Sequence, residues 1–238
     1  MEAPDRLFLP PPFTEVRVSG QSAFDEAMHR APMEGAGTLV WRNEGALLDV
    51  AVVLEPEQEL AQARMAFFAC MAAIGDALSA HCPPERVVRF GFPDVVMYDA
   101  ARLGGGRFAV APSARSGEAP DWMVFGVELI ADRDHLPAPG AFPESTSLAE
   151  EAIEPPAAIV ESFASYLMLH FDRWTHQGLQ AVTARYLERI DPPMLAGTRE
   201  IDAAGDLVER TPSGAVRRVP LEDGLVACRW RGDGGPRL

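Results

Sequence analysis

Residues 89–110 read RFGFPDVVMYDAARLGGGRFAV, and the parsing of this stretch decides the fold. With its flanks it holds three short extended pieces, VVRFGF, DVVMYD and GRFAVA, separated by Pro93 and by Gly104 to Gly106. Successive glycines let a backbone come close to a ligand and expose its N–H groups. No Gly-Lys-Ser/Thr follows, so this is not a Walker loop. No helix follows either, so no helix dipole is offered to a phosphate. Taken alone, the run reads first as a hairpin turn entering strand 107–111 and second as a ligand floor.

Working outward, 112–120 is a loop, 121–131 (DWMVFGVELIA) a strand, and 132–144 Pro-rich and irregular. Upstream, 13–19 alternates like a strand, and 22–30 reads as a short helix with Ser22 as N-cap. Strands are expected at 37–42 and 48–54, the latter apolar on both faces after Asp49 and so covered on both sides. Pro56 opens one long helix over 57–81, with Leu60, Phe67, Phe68, Met71, Ile74 and Leu78 at helical spacing. Pro83 and Pro84 end it. Two helices follow at 156–174 and 177–190, the first carrying Ile159, Phe163, Tyr166, Leu167, His170 and Trp174 on one face. After Pro192 and Pro193, residues 196–231 read as short strands, REID, DLVER, VRRVPL and LVACRW. The expected organisation is a main domain over 1–191 and a small β appendage over 192–238, which must dock to be stable.

The chain has 238 residues, with 35 acidic and 21 basic side chains, a net charge of −14 and no lysine. This balance argues against nucleic acid and against anionic membrane surfaces. No apolar stretch is long enough to span a bilayer, and the start MEAPDRLFLPPPF is a poor signal peptide. Cys70, Cys82 and Cys228 form no even disulfide set, which suits reduced thiols in a cytoplasmic protein. There is no GxSxG or HExxH motif. Asp132, Asp134 and His135 read as a solvated loop rather than a metal set, so no metal ligand is assigned. Glu150, Glu151 and Glu154 read as an exposed face, His170 and Cys70 as core, and Trp41 and Trp122 as core more often than ligand platforms.

The order of these pieces resembles the biotin/lipoate protein ligase family across nearly the whole chain. Phe92-Pro93-Asp94 is similar to the Trp-Pro-Asn part of that family's central motif, Arg102 sits where the family has a lysine, and Gly104, Gly105 and Gly106 match glycines lining its acyl pocket. STSLAEEAIEPPAAIVESFASYLMLHFDRW resembles its Thr-Ser-Leu and two-helix ending, and 196–231 its SH3-like appendage. The resemblance implies an α+β fold. A mixed, largely antiparallel sheet is flanked by helices, as in class II synthetases and biotin ligases. It implies Arg102 as the catalytic position and Ser22, Trp41, Arg42, Phe92, Pro93, Asp94 and Gly104 to Gly106 as substrate-binding. The implied reaction uses ATP and Mg to turn biotin or lipoate (or an octanoyl group) into an acyl-adenylate. A lysine of a carrier domain, of biotin carboxyl carrier or lipoyl type, then takes the acyl group.

The sequence departs from that pattern in four places. The family's long Gly/Arg-rich loop, which folds over the adenylate, is replaced by Asn43-Glu44-Gly45-Ala46. Arg102 stands for the lysine and keeps its charge, but not its compact shape. Gly91 stands where the central motif opens with a lysine. The Ser-Thr-Asn signature survives only as Ser22-Ala23-Phe24. The alternatives are therefore an active ligase, a non-catalytic relative binding an acyl ligand or carrier domain, and, ranked last, an ATP-independent acyltransferase. Arg217 and Arg218 are the candidate patch for a carrier. With about 12 residues before the first strand, no DNA-binding segment and no repressor role is expected.

Overall fold

Seven strands form the central sheet of the computed structural model, which describes residues 6–83, 85–136, 138–153 and 155–238. Pro84 and Glu154, given roles above, lie outside the described residues. The strands are β1 (Thr14–Arg17), β2 (Thr38–Glu44), β3 (Leu47–Leu54), β4 (Val88–Gly91), β5 (Val95–Tyr98), β6 (Ala101–Val110) and β7 (Met123–Ile130). Their order is β1-β2-β3-β7-β6-β5-β4. Only β1 and β2 run parallel; every other neighbour is antiparallel. The three pieces of 86–111 are consecutive strands at one edge of a mixed sheet, but Gly104 to Gly106, expected as the turn into the third, lie inside β6; that turn is at Asp99-Ala100, where Asp99 takes φ 52°.

One face of the sheet carries α3 (Ala66–His81), α4 (Pro156–Gln177) and α5 (Leu179–Leu187). Every residue of α3 from Ala66 to Leu78 is buried. A helix apolar on all sides must be covered on all sides, and the sheet, α4 and α5 do this. Against the expectation that no apolar stretch is long enough to span a bilayer, Leu60–His81 is long and apolar enough to match one, but most of it is buried in the core. The long helix expected over 57–81 is two pieces, α2 (Leu60–Ala63) and α3. Between them the N–H groups of Met65, Phe67 and Phe68 bond carbonyls three residues back, which tightens the turn and breaks the α ladder.

At the α3–α4–α5 junction Asp76 is buried and accepts from His170 Nε2 (2.9 Å), Arg185 Nη2 (2.7 Å) and Arg189 Nη2 (2.8 Å). Burial pushes the carboxyl up, but the bonds from His170 and the arginines outweigh it and hold it well below the usual range. His170 is core, as its helix face implies.

The other face carries α1 (Ala23–Glu34), which buries Ala23, Phe24, Ala27 and Ala31 against Val40, Ala51, Val53 and Val124. Trp122 packs beside this cluster. Glu150 is exposed, as expected, and Glu151 is half-buried, but both carboxylates are engaged. Arg133, itself buried, grips Glu150 at 2.7 and 2.8 Å, and Thr146 donates to Glu151 at 2.7 Å. These bonds fold the Ser-Thr-Ser-Leu turn (residues 145–148) onto the end of the sheet.

Beyond α5, β8 (Thr198–Ile201), β9 (Leu207–Arg210) and β10 (Val216–Val219) form an antiparallel meander. The expected fourth strand, LVACRW, is instead the end of a helix, α6 (Leu221–Ala227). Glu222 and Asp223 in its first turn suit a helix N-terminus. Cys228, in the left-handed region at φ 39°, ends it. The remaining residues turn back to the main sheet and include β11 (Arg231–Gly232) and β12 (Gly235–Pro236).

Candidate functional site

Strand alternation puts Arg42, Asp49, Gly105, Arg107 and Glu128 on the α1 side of the sheet. Asp49 and Glu128 are each only 1% exposed and face each other across β3 and β7. Two like charges in that position repel, so both need partners. Ala23 N–H donates to Asp49 Oδ2 at 2.9 Å, and Arg42 Nε approaches the same oxygen at 3.3 Å. Asp49 Oδ1 is buried with no partner among the described residues. Burial raises this carboxyl to about 6, helped by the nearby Glu128 and opposed by the Ala23 bond. Glu128 accepts from Arg107 Nη1 at 3.1 Å, and from Arg231 Nε at 2.9 Å on both oxygens. The Arg107 guanidinium lies 4.1 Å from the centre of the Phe24 ring.

The three glycines do different things. A Cβ on Gly104 would lie 1.9 Å from the Glu128 carbonyl oxygen, so this glycine allows two strands to approach. One on Gly106 would meet Met71 on the α3 side. Only Gly105 opens to the α1 side, and the space above it is filled: a Cβ there would lie 2.3 Å from the Trp230 indole. Trp230 is 1% exposed and donates from Nε1 to Asp94 Oδ2 at 2.9 Å. Burial lifts the Asp94 carboxyl to about 7, although the indole bond opposes this.

The other sequence candidates divide between the two faces. Arg102 borders the α1 side, where its Nη1 donates to the Arg237 carbonyl at 2.9 Å. Pro93 follows a cis bond and packs under Gly224 of α6, while its carbonyl accepts from Tyr186 at 2.8 Å. Phe92 packs edge-on to Tyr186. Ser22 caps α1, accepting from Asp25 N–H at 3.3 Å. Trp41 is turned to the α3 side, with its Nε1 on Glu15 at 2.9 Å, and does not meet the others. Arg217 and Arg218 pair with Glu209 and with Asp202 and Asp206. Among the described residues no cluster of three potential metal ligands exists.

The sequence reading missed Asp49, Glu128, Arg107, Trp230 and Arg231 as members of one site. Two acids inside otherwise apolar strands were the available signal, because such acids are rarely buried without purpose. Nothing local announces that residues 230 and 231 return to strands more than 100 positions earlier.

β2 joins β3 by a tight turn, with Glu44 opposite Leu47 and only Gly45 and Ala46 between them. Residues 9–188 match the family model described as "Biotin/lipoate A/B protein ligase family". The chain belongs to that family. No curated protein sequence matches it. Among solved structures it is similar to a biotin protein ligase-like protein of unknown function from Silicibacter sp. TM1040, at 25% identity and TM-score 0.77, covering 92% of this chain and 99% of that one. It is also similar to the biotin protein ligase of Aquifex aeolicus in complex with biotin and ATP, at 10% identity and TM-score 0.63, covering 86% and 94%. The Leishmania major biotin protein ligase with biotinyl-5-AMP is a more distant neighbour, at 16% identity and TM-score 0.51, covering 88% and 99%. The last two show the fold: a biotin ligase-like mixed sheet followed by small C-terminal sheets.

Proposed function

We propose that this ligase-family protein binds the family's small acyl ligand, free or on its carrier domain, without activating it. The observation that carries this reading is the Gly45–Ala46 turn, where the family resemblance calls for a long loop over the adenylate. Adenylation joins a carboxylate oxygen to the α-phosphorus and expels pyrophosphate. That step needs cations free to take up the phosphate charge. Arg42 is engaged with Asp49, Arg107 and Arg231 with Glu128, and Arg102 with the Arg237 carbonyl. Two buried carboxylates, Asp49 and Glu128, stand beside them and oppose a polyanion. ATP and Mg therefore do not fit the residues present. Three unpaired cysteines support a reducing, cytoplasmic setting.

The test is thermal unfolding of the whole protein with millimolar biotin, lipoate or octanoate, each with and without Mg-ATP, alongside pyrophosphate release. One acid alone should raise Tm, Mg-ATP should add nothing, and no pyrophosphate should form. Saturation at 100 times Kd stabilises by about 2.7 kcal/mol, or roughly 5–10 °C for a domain of this size. A shift that needs both acid and ATP, with pyrophosphate released, would restore the ligase reading.

A further inference from the structure

We infer that residues 228–238 are a displaceable strap, an internal occupant of the ligand floor that must swing away before anything else lies on Gly105. The strap begins at the left-handed turn of Cys228, where the chain leaves α6. Its backbone bonds are largely its own: Arg231 N–H to Cys228 O, Arg237 N–H to Trp230 O, and the β11–β12 ribbon. That ribbon is a separate two-stranded sheet and pairs with no strand of the main sheet. Side chains fasten it to the body. The Trp230 indole reaches Asp94, Arg231 reaches Glu128, and Arg102 reaches the Arg237 carbonyl. Within 231–238 only Gly235 is buried, while Asp233, Gly234 and Arg237 are exposed.

Two features mark the strap as a cover rather than a core element. A segment held by one buried indole and a few polar contacts opens at a small fraction of the global unfolding free energy. What it covers is also wrong for a core. Asp49, Asp94 and Glu128 are buried beneath or beside it, and Asp49 Oδ1 has no partner among the described residues. Buried carboxylates cost stability, and apolar residues of similar size would serve packing better. A polar floor under a removable segment, which covers it with one indole and one arginine, is the arrangement of a site held shut. Affinity for any ligand on that floor is then reduced by the fraction of molecules with the strap open.

Hydrogen exchange of the full chain tests this. In wild type, amides of 228–238 should exchange at least tenfold faster than those of β3 and β7. Arg231→Ala should speed the strap a further tenfold and leave β3 and β7 unchanged. Gly105→Ala, which pushes the indole from below, should act in the same direction if Arg231→Ala folds poorly. Strap amides that exchange only together with β3 and β7, in wild type and variant alike, would overturn the inference. The ligand arm rests on the reading above and fails separately from it. Whichever of biotin, lipoate or octanoate binds should bind Arg231→Ala at least tenfold tighter than wild type. Equal binding to both would place the ligand elsewhere and overturn the strap as a cover. An opening strap with no acid bound to either protein would leave the strap standing and remove the proposed ligand.

Discussion

The α3 face and the α1 face of the main sheet are made by alternate residues of the same strands, yet they are built on different rules. On the α3 side Leu39, Trp41, Val50, Val52, Phe125 and Val127 pack into one apolar core with α3 and α4. On the α1 side the neighbouring positions hold Arg42, Asp49, Arg107 and Glu128, closed over by residues 228–238. One face gains its stability from area removed from water; the other spends part of that gain on buried charge. A strand that needs both faces therefore carries the fold and the site in alternate letters.

The sharpest way to break the comparison is a pair of adjacent glycines. A Cβ on Gly104 would sit 1.9 Å from the β7 backbone, where only separation of the strands relieves it. Gly104→Ala should cost more than about 4 kcal/mol and leave little folded protein. The three atoms nearest a Cβ on Gly105 all belong to the Trp230 ring, which leaves with the strap. Gly105→Ala should cost well under half as much while exposing residues 228–238 to protease. Thermal melts and limited proteolysis of the two variants check this, and equal melting losses would contradict it.

Asp76 tests the α3 face, since its buried carboxylate holds three partners at once. Asp76→Ala should cost about 3–5 kcal/mol at neutral pH, because His170 and two arginines lose their acceptor. The folded carboxyl titrates below its unfolded value, so its contribution is present above pH 4 and lost as pH falls further. The variant should therefore show a shallower acid limb in chemical denaturation followed from pH 5 to pH 2.

Asp94, under the strap, has the opposite sign. Its folded value is about 7 against 3.8 unfolded, so the folded state holds its proton more tightly. Stability should fall as pH rises from about 4 to about 7, by on the order of 3–4 kcal/mol, and then level off. Asp49 contributes the same slope but stops near 6. Between pH 6 and 7 the slope thus belongs mainly to Asp94. Asp94→Asn keeps an acceptor for the indole and should flatten that interval. A variant with the wild-type slope there would show that Asp94 does not carry it.

The two faces also differ in how legible they were. Helix and strand order followed from apolar period and turn residues, because those signals are local and the α3 face obeys them. The motif around Phe92-Pro93-Asp94 and Arg102 pointed to the family, and its absent loop is visible as the Gly45–Ala46 turn. The helix expected over 57–81 divides around Met65, where bonds to carbonyls three residues back interrupt the α ladder. LVACRW was read as a strand from its apolar run, although the acidic turn at Glu222 and Asp223 argued for a helix. Trp41 was assigned to ligand contact by position alone, but one residue of strand register separates Arg42 on the α1 side from Trp41 on the core side. The strap was out of reach, since contacts spanning 103 to 136 positions leave no mark in any short window.

The smallest predicted effect concerns how α1 is tied to the charged face. Its N-terminus has two acceptors, the Ser22 hydroxyl for Asp25 N–H at 3.3 Å and the Asp49 carboxylate for Ala23 N–H at 2.9 Å. The Ser22 bond is long and partly exposed, so Ser22→Ala should cost only about 0.5–1 kcal/mol. The Asp49 bond is short and buried and comes from another element, so it anchors the helix as well as capping it. Removing Asp49 as an acceptor should therefore loosen α1 more than removing the nominal cap does. Amide exchange over 23–27 in Ser22→Ala and Asp49→Ala, compared at one pH, decides the matter. Faster exchange in Ser22→Ala would make α1 an ordinary capped helix, independent of the floor beneath it.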